Sequence, residues 1–291
     1  MNGILLIDKP AGWTSHDVVA KLRGVLHERR AGHSGTLDPM ATGLLALFFG
    51  RATRAVEFAE ADEKEYVAGI RFGLCTDTQD ITGTVLEEKS PAFTAEQLDE
   101  VLASFRGEIS QLPPMYSAVK VGGKKLYEIA RKGGQVERKP RQVTIRRLER
   151  GALSGGEASL YVTCSKGTYI RTLCHDIGQA LGCGACMSSL RRTRAGHFSV
   201  DMAHSMEEAA AAAEQGRVEE LFLPVDTLFS ELEKITLTPK QEQRLRNGGR
   251  FSCGLAEGRF RAYGPGGEFL ALAEVKGGEL RAVKSFYTIP Q

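Results

Sequence analysis

Hydrophobic and polar residues alternate along this chain with two different periods, which predict strands and helices in mixed order. Residues 3–8 and 44–49 form short, nearly continuous apolar runs, and residues 64–72 alternate between apolar and polar positions. Both patterns are typical of strands, buried on two faces or on one. The apolar residues after Ser15 recur every three or four positions, so they predict a helix that this serine caps.

The rest of the chain follows the same two periods. We predict further strands at residues 84–87, 142–149, 159–165, 187–190, 259–263, 269–275 and 281–286. We predict further helices at 51–61, 94–104 and 169–181, after the capping-box pair Ser205 and Glu208, and after Thr238-Pro239. Residues 73–83 are polar and predict a turn region. This order of elements predicts an α+β fold.

Two stretches depart from the regular pattern. Residues 106–140 are basic and irregular, with Pro113-Pro114 and two glycine pairs, and such an insertion is more typical of a mobile functional loop system than of a core. Beyond residue 233, short strands separated by glycine and proline predict a small β barrel. We therefore expect two domains, residues 1–232 and 233–291, with a boundary near Glu233.

The amino-acid composition indicates the general class of protein to which the chain belongs. Hydrophobic residues make up 42% and charged residues 25% of the 291 residues, as in an ordinary globular protein. The longest apolar run, residues 44–49, is far shorter than the roughly 20 residues of a membrane span, and the first residues do not resemble a signal peptide. We therefore expect a cytoplasmic protein with no membrane contact. Six scattered cysteines predict free thiols rather than a disulfide framework.

The charge is unevenly spread, although the net charge is only +2. Residues 120–150 hold 11 Lys and Arg against 3 Glu, and residues 234–291 hold 10 against 5. The rest of the chain is acidic. Segregation of this kind indicates two surfaces that face a polyanion such as a nucleic acid, although basic stretches also occur as solvated faces.

Residues 33–43, with the sequence HSGTLDPMATG, hold the most informative candidate for chemistry. Pro39 favours an extended backbone at Asp38, and Gly35 and Gly43 permit turns that other residues resist, so the carboxylate can be held on a shaped loop. A turn with an Asx-type hydrogen bond is the ordinary reading of an isolated Asp-Pro pair. The length of the whole string favours a functional loop.

This string resembles the catalytic loop of the TruB family, the bacterial tRNA pseudouridine-55 synthases. The resemblance implies that Asp38 is the catalytic nucleophile. Residues 164–173, CSKGTYIRTL, are similar to a second family motif, which implies that Arg171 pairs with the catalytic aspartate. Tyr66 in KEYV matches a third motif, which implies that its ring lies against the target base and that it assists proton removal from C5. Without these motifs, Tyr66 would be interpreted as a residue of the hydrophobic core.

The same resemblance implies how substrate is bound. His33 would contact the flipped nucleotides, Leu190 would line the pocket, although a plain core role is an equal alternative, and Arg54 stands where the family commonly has a basic residue. Residues 115–131 resemble the insertion that clasps the T arm of tRNA, and its phosphate contacts would come from Lys120, Lys124, Lys125, Arg131 and Lys132.

The implied fold is the pseudouridine synthase fold, a mixed and largely antiparallel central sheet with flanking helices and a basic insertion, followed by a PUA-like RNA-binding β barrel. The implied function is isomerisation of a T-loop uridine to pseudouridine, without a cofactor. No nucleotide-binding glycine loop or metalloprotease helix occurs, so the chemistry must come from side chains. We expect a monomer that needs no protein partner.

Three alternatives stand beside this reading. Cys174, His175, Cys183 and Cys186 include zinc-type ligands, but adjacent residues on a helix point in different directions and only one pair has the spacing of a zinc site. The chain could instead act mainly as a tRNA-folding chaperone. An RNA-guided synthase subunit is less favoured, because no long basic extension is present.

Overall fold

The structure is a computed structural model, and it describes residues 1–60 and 63–287. The helices are α1 (Ser15–Val25), α2 (Val56–Glu60), α3 (Ala95–Ser104), α4 (Leu126–Ala130), α5 (Ile170–Ala180), α6 (Met206–Glu214) and α7 (Pro239–Arg246). Short 3-10 helices lie at Gly50–Ala55, Val200–Met202, Val218–Leu221 and Val225–Phe229.

The strands of the first part are β1 (Gly3–Lys9), β2 (Ala31–Ser34), β3 (Thr42–Phe49), β4 (Lys64–Phe72), β5 (Leu74–Thr76), β6 (Val85–Glu88), β7 (Gly107–Gln111), β8 (Lys120–Val121), β9 (Lys124–Lys125), β10 (Arg141–Ser154), β11 (Glu157–Cys164), β12 (Ala185–Ala195), β13 (Phe198–Ser199) and β14 (Phe222–Leu223). Those of the last part are β15 (Lys234–Thr236), β16 (Phe251–Ser252), β17 (Gly258–Tyr263), β18 (Phe269–Lys276) and β19 (Glu279–Ser285).

One large sheet organises the first part of the chain, and it is mixed and largely antiparallel, as predicted. Its strands lie in the order β14-β1-β3-β12-β4-β11-β10-β7, with β2 added to β3 and β13 to β12. The parallel contact joins β3 to β12, where Thr42 pairs with Arg191 and Gly43 with Arg192. This contact brings the residue after the Asp38 loop beside a strand from much later in the sequence.

The apolar runs at the two ends of the first 50 residues are buried because the sheet is covered on both faces. Ile4, Leu44 and Phe48 enter one cluster, whereas the alternate positions of β1 and β3 enter a second cluster with α1 and α6. The first cluster also contains Leu272 and Phe286 from the end of the chain. The C-terminal sheet therefore shares a hydrophobic core with the central sheet.

The prediction that Ser15 caps the first helix is wrong, because Thr14 occupies the N-cap position. The Thr14 side chain accepts from the Asp17 backbone N–H, and the Asp17 carboxylate accepts from Thr14 in return. The hydroxyl of Ser15 is buried and exchanges hydrogen bonds with the backbone of Leu37, at 2.9 and 3.2 Å. Ser15 thus ties α1 to the loop that carries Asp38.

Three stretches that were predicted to be irregular contain regular structure. His33 and Ser34 lie on β2, so the loop proper is confined to residues 35–41. The turn region 73–83 begins with β5, which pairs with β6. The basic insertion contains β7, the β8–β9 hairpin and α4. Very short strands and two-residue hairpins leave little periodic signal, which is why the sequence did not predict them.

The C-terminal sheet confirms the predicted PUA-like architecture. Its strands lie in the order β15-β17-β18-β19-β16, curled as in half of a barrel around Leu245, Leu270 and Leu280. Thr238 caps α7 through a capping box with Gln241, and Pro239 begins the helix, as predicted. The predicted helix at residues 51–61 is a 3-10 helix followed by α2, and its last predicted residue lies outside the described residues.

The cysteines are free thiols, as predicted, and all but Cys253 are buried. Burial raises the pKa of Cys164 and of Cys186 to about 11, which leaves both thiols protonated at neutral pH. No three metal-ligating side chains of the described residues lie together. In the same part of the chain, no helix is long and apolar enough to span a membrane.

Replacing Gly43 by alanine should lower stability through a clash as well as through its backbone angle. Its φ is +97°, and a Cβ there would lie 2.3 Å from the carbonyl oxygen of Arg192. Gly267 has a similar φ of +86° with open space around it, so Gly267→Ala is the matched control. We expect Gly267→Ala to cost about 1 kcal/mol. We expect Gly43→Ala to cost roughly 2 kcal/mol more.

Urea denaturation followed by circular dichroism measures both losses. Equal losses for the two variants would show that the parallel contact between β3 and β12 tolerates an added methyl group.

Candidate active site

The loop at residues 35–41 is tied to the protein at several points, which fixes the position of Asp38. Leu37 and Ala41 are buried on either side of it. The Pro39 carbonyl accepts from the backbone N–H of Gly12 at 2.8 Å and from the Lys9 ammonium at 3.3 Å. The Asp38 carbonyl accepts from the N–H of Ala41 at 3.0 Å, which closes a turn. The carboxylate is thereby presented on a rigid loop, with 33% of its side chain exposed.

The guanidinium of Arg171 contacts the Asp38 carboxylate at two points, an arrangement called the fork below. Arg171 is the second residue of α5, its side chain is only 6% exposed, and its Nε lies 3.0 Å from Oδ2 of Asp38. Its Nη2 donates to Oδ1 at 3.1 Å. One hydrogen bond and a second close ion-pair contact between these planar groups fix the direction of the carboxylate as well as its charge.

Two further donors of Arg171 are also occupied. Nη1 donates to the carbonyl of Thr78 at 3.0 Å, and Nη2 donates to the carbonyl of Tyr116 at 2.8 Å. The carboxylate of Asp80 lies 3.8 Å from Nη1. The guanidinium therefore joins the Asp38 loop, the turn after β5 and the start of the basic insertion.

The sequence analysis missed Asp80, which it assigned to a polar turn. Asp80 is 5% exposed, and its Oδ1 accepts from the Thr82 backbone N–H at 3.0 Å and from the hydroxyls of Thr78 and Thr82. A buried acid that lies this close to an arginine is a signal only once the fold is known. In the sequence, Asp80 looks like any acid in a turn of threonines.

Burial raises the pKa of the Asp38 carboxyl above its ordinary value. The charge of Arg171 opposes this rise, and the like charge of Asp80 adds to it. Among these neighbours, Arg171 is the one that most favours the ionised form of the carboxyl. The site therefore holds a partly exposed carboxylate whose direction is set by Arg171.

Tyr66 and Leu190 lie on the neighbouring strands β4 and β12, beside the pair formed by Asp38 and Arg171. Tyr66 on β4 is half-buried and packs with Leu190 and Met40 against the core that includes Leu37. Leu190 is 7% exposed and pairs with Ala68, so it belongs to the core and borders the site. Burial raises the pKa of the Tyr66 hydroxyl, and the nearby Arg192 guanidinium opposes the rise.

Two buried cations that the sequence analysis did not select lie under the loop. Arg192 is 1% exposed and donates to the carbonyls of Leu44 at 2.7 Å and Gly35 at 3.0 Å. Lys9 is fully buried and donates to the carbonyls of Pro10, Trp13 and Pro39. Burial lowers the pKa of Lys9 to about 8, against the favourable charge of Asp38.

His33 lies on β2, directly before the loop. Its Nδ1 is buried and has no hydrogen-bond partner among the described residues. Burial lowers the pKa of the imidazole, and the positive charge of Arg192 lowers it further, so the ring is neutral at physiological pH. A buried ring nitrogen without a partner is costly unless a bound molecule satisfies it.

The other predicted binding residues lie outside this cluster. Arg54 donates to the hydroxyl of Ser285 at 3.0 Å, where it joins the 3-10 helix to the C-terminal sheet. Lys120 pairs with Lys125 across the β8–β9 hairpin. Lys125 and Arg131 lie on the Tyr127 ring, each 5.4 Å from its centre. The exposed cations of the insertion are Arg106, Lys120, Lys124, Arg131, Lys132 and Lys139.

The mixed sheet and the aspartate–arginine pair on its loop and helix are the features that the motif resemblance implies for an RNA-modifying isomerase, a pseudouridine synthase. Comparison with known proteins agrees. A family profile described as "TruB family pseudouridylate synthase (N terminal domain)" matches residues 23–170, and "tRNA pseudouridylate synthase B C-terminal domain" matches residues 171–230. The chain belongs to the TruB family. Its enzymatic class is tRNA pseudouridine synthase.

Relatives and solved structures extend the likeness over almost the whole chain. The chain is 46% identical to tRNA pseudouridine synthase B of Azoarcus sp. over 285 residues, which is 97% of this chain and 93% of that protein. The corresponding protein of Ralstonia nicotianae is 45% identical, with the same coverage. A chain of a crystal structure titled as a Cbf5-Nop10-Gar1 complex superposes with a TM-score of 0.75 and 27% identity, covering 98% of this chain and 85% of that one.

Replacing Asp80 by asparagine should slow the reaction more than it weakens RNA binding. Asparagine keeps the shape but removes the charge that faces Nη1 of Arg171, so the fork that holds Asp38 loses one of its supports. We expect the single-turnover rate to fall on the order of 100-fold, because small misplacements at a reacting centre cost this much. Pseudouridine formation in a tRNA transcript measures the rate, and filter binding measures the affinity.

Asp77→Asn is the matched control for this change. Asp77 lies in the same turn, is exposed, and accepts from the N–H of Thr84 at 2.7 Å, away from Arg171. Similar rates for the two variants would mean that the Asp80 charge does not support the fork.

Proposed function

We propose that this chain converts a uridine in the T loop of tRNA, at position 55, into pseudouridine with Asp38 as the nucleophile. The observation that carries the proposal is the two-point contact between Arg171 and the partly exposed carboxylate of Asp38. The tRNA substrate follows from the family, and the choice of uridine rests on the resemblance of residues 33–43 to the catalytic loop of that family.

The reaction breaks the bond from the ribose to N1 of the base, turns the base, and joins its C5 to the same ribose. Nothing is added from outside, so a nucleophile and acid–base help are sufficient. Asp38 acts in its ionised form, which Arg171 favours, and Arg171 holds it in one direction throughout. Because the carbonyls of Thr78 and Tyr116 fix the guanidinium in turn, little reorganisation is needed during the reaction.

The target base must leave its stack before Asp38 can reach its nucleotide. Unstacking costs a few kcal/mol. The half-buried ring of Tyr66 offers a stacking face, which is worth roughly 1 to 3 kcal/mol per base. Leu190 borders the same space, and the unpartnered Nδ1 of His33 offers a hydrogen bond to the extruded nucleotides.

The basic insertion would bind the phosphates of the T arm. Three of the four arginines of β10 are already paired with acids: Arg146 with Glu63, Arg147 with Glu149 and Arg150 with Asp99. In contrast, Lys120, Lys124, Arg131 and Lys132 are exposed and form no ion pair with any described residue. Positive charge that the protein leaves uncompensated is available to the RNA backbone. The Tyr116 carbonyl on Arg171 links this insertion directly to the site.

We further propose that the chain acts as a single subunit. Every group described at the site comes from this one chain, from Asp38 in the first loop to Arg171 on α5. The chain in the Cbf5-Nop10-Gar1 structure is named together with partner proteins. Activity of the purified chain on a bare tRNA transcript distinguishes the two modes of action.

Replacing Asp38 by asparagine should abolish pseudouridine formation and leave tRNA binding within about threefold of wild type. Asparagine still accepts one hydrogen bond from Arg171, but it is no longer an ionised nucleophile. The purified chain and its variant are incubated with an unmodified tRNA transcript, with no metal or nucleotide added, and modified positions are mapped. Turnover by the asparagine variant, or wild-type modification outside the T loop, would contradict the proposal.

Replacing Lys120 and Lys124 by glutamine should weaken tRNA binding in a salt-dependent way. Each lost phosphate contact reduces the slope of log affinity against log salt by roughly 0.7 to 0.9, so the double variant should lose between one and two units. The maximal rate should hardly change, because these contacts position the RNA. Lys21→Gln, on the exposed side of α1, is the control. An unchanged salt slope in the double variant would show that the hairpin does not touch phosphates.

A further inference from the structure

Arg192 is a buried cation without a carboxylate partner. Its side chain is among the largest that are fully buried, and its hydrogen bonds go to two main-chain carbonyls. No acid of the described residues lies within ion-pair distance of it, whereas its neighbours on β12 are paired, Arg191 with Asp8 and Arg194 with Glu65. Removing an unpaired charge from water costs several kcal/mol. An apolar side chain would fill the same space without this cost, so packing alone does not account for Arg192.

The sheet directs this cation to Tyr66. Arg192 on β12 and Tyr66 on β4 are direct partners in an antiparallel pair, so their side chains project from the same face of the sheet. The guanidinium also reaches the catalytic loop, since it donates to the carbonyl of Gly35. A Cβ at Gly35 would lie 3.1 Å from Nη1, so glycine leaves room for the guanidinium there.

The acidic groups around Tyr66 disfavour ionisation of its phenol hydroxyl. The Cys164 thiol on β11 and the Asp38 carboxyl on the loop both disfavour ionisation of the phenol, as does burial. The guanidinium of Arg192 opposes all three and keeps the pKa of Tyr66 lower than burial alone would set it. Lys9 and His33 also feel the charge of Arg192, which depresses the pKa of each. Arg192 therefore makes the pocket more positive on the side of Tyr66.

We propose that Arg192 is a positioning residue that holds the oxygen of Tyr66 ready to take the proton from C5 of the rearranged base. This inference rests on the proposed function, in which Tyr66 handles that proton. In the step, the Tyr66 hydroxyl first gives its proton to water, and the C5–H bond then breaks as its proton passes to the resulting phenolate oxygen. The electron pair restores the C5–C6 double bond, and N1 takes up a proton from water. Negative charge on the phenol oxygen before the transfer is stabilised by the neighbouring guanidinium.

The test compares Arg192→Gln and Arg192→Lys with wild type, with Arg194→Gln as the matched control from the same strand. Single-turnover rates are measured on a tRNA transcript from neutral to alkaline pH, with normal uridine and with uridine deuterated at C5. We expect Arg192→Gln to lower the neutral-pH rate on the order of 100-fold, the usual contribution of positioned proton transfer. Affinity for tRNA should change little.

Three further results are expected if the cation serves Tyr66. The rate of Arg192→Gln should keep rising with pH beyond the point where the wild-type rate levels off, because the phenol then needs more alkaline conditions to ionise. The deuterium isotope effect should grow as proton removal becomes limiting. Arg192→Lys, which keeps the charge, should recover part of the rate, and Arg194→Gln should behave as wild type.

A Tyr66→Phe background separates this role from a structural one. There, loss of Arg192 should cost no further rate, because the group it serves is gone. A pH-independent loss without an isotope effect, or losses that multiply in the double variant, would overturn the proposal. If Arg192→Gln does not fold, the same double-variant comparison is made with Arg192→Lys. A wild-type rate for Tyr66→Phe would instead refute the proposed role of the tyrosine, and absence of pseudouridine with wild type would refute the proposed function itself.

Discussion

The ion pair between Asp38 and Arg171 is the contact on which the rest of the structure depends. Its partners are 133 residues apart in sequence, and it is the pairing of β3 with β12 that brings their parts of the chain together. A buried guanidinium is tolerated only when its donors are satisfied. Here the donors are taken up by Asp38, by two carbonyls and, at longer range, by Asp80. The loop, the turn after β5 and the insertion are each held in place by this one side chain.

The electrostatics of the site follow from an excess of buried positive charge. Three cations lie inside the protein near the loop: Arg171, Arg192 and Lys9. Two acids lie beside them, Asp38 and Asp80. Such an arrangement is costly for folding, since it leaves charge that the protein does not neutralise. It is suited to a polyanionic substrate and to groups that become negative during the reaction. Stability has been given up where function requires it.

The sequence predicted the elements with strong periodicity, and the motif resemblance predicted that Asp38 and Arg171 lie together. The apolar strands, the capped helices and the mixed sheet are as expected, and Asp38 and Arg171 do meet. The sequence could not predict Asp80 or Arg192, because an acid among threonines and an arginine in a run of arginines carry no local signal. Their roles arise from burial and from strand register, which are properties of the folded chain. The same reason explains why Thr14, and not the predicted Ser15, caps α1. The Ser15 hydroxyl instead accepts a hydrogen bond from the backbone N–H of Leu37.

The packing of Leu272 and Phe286 in one cluster with Ile4 and Leu44 has a consequence for how this protein can be shortened. A chain shortened after residue 233 would lose these two side chains and expose part of the apolar cluster that contains Ile4 and Leu44. A tail from an unrelated protein could replace the present one only if it brought matching apolar side chains. The two sheets therefore depend on each other for stability, because each supplies side chains to the core that they share.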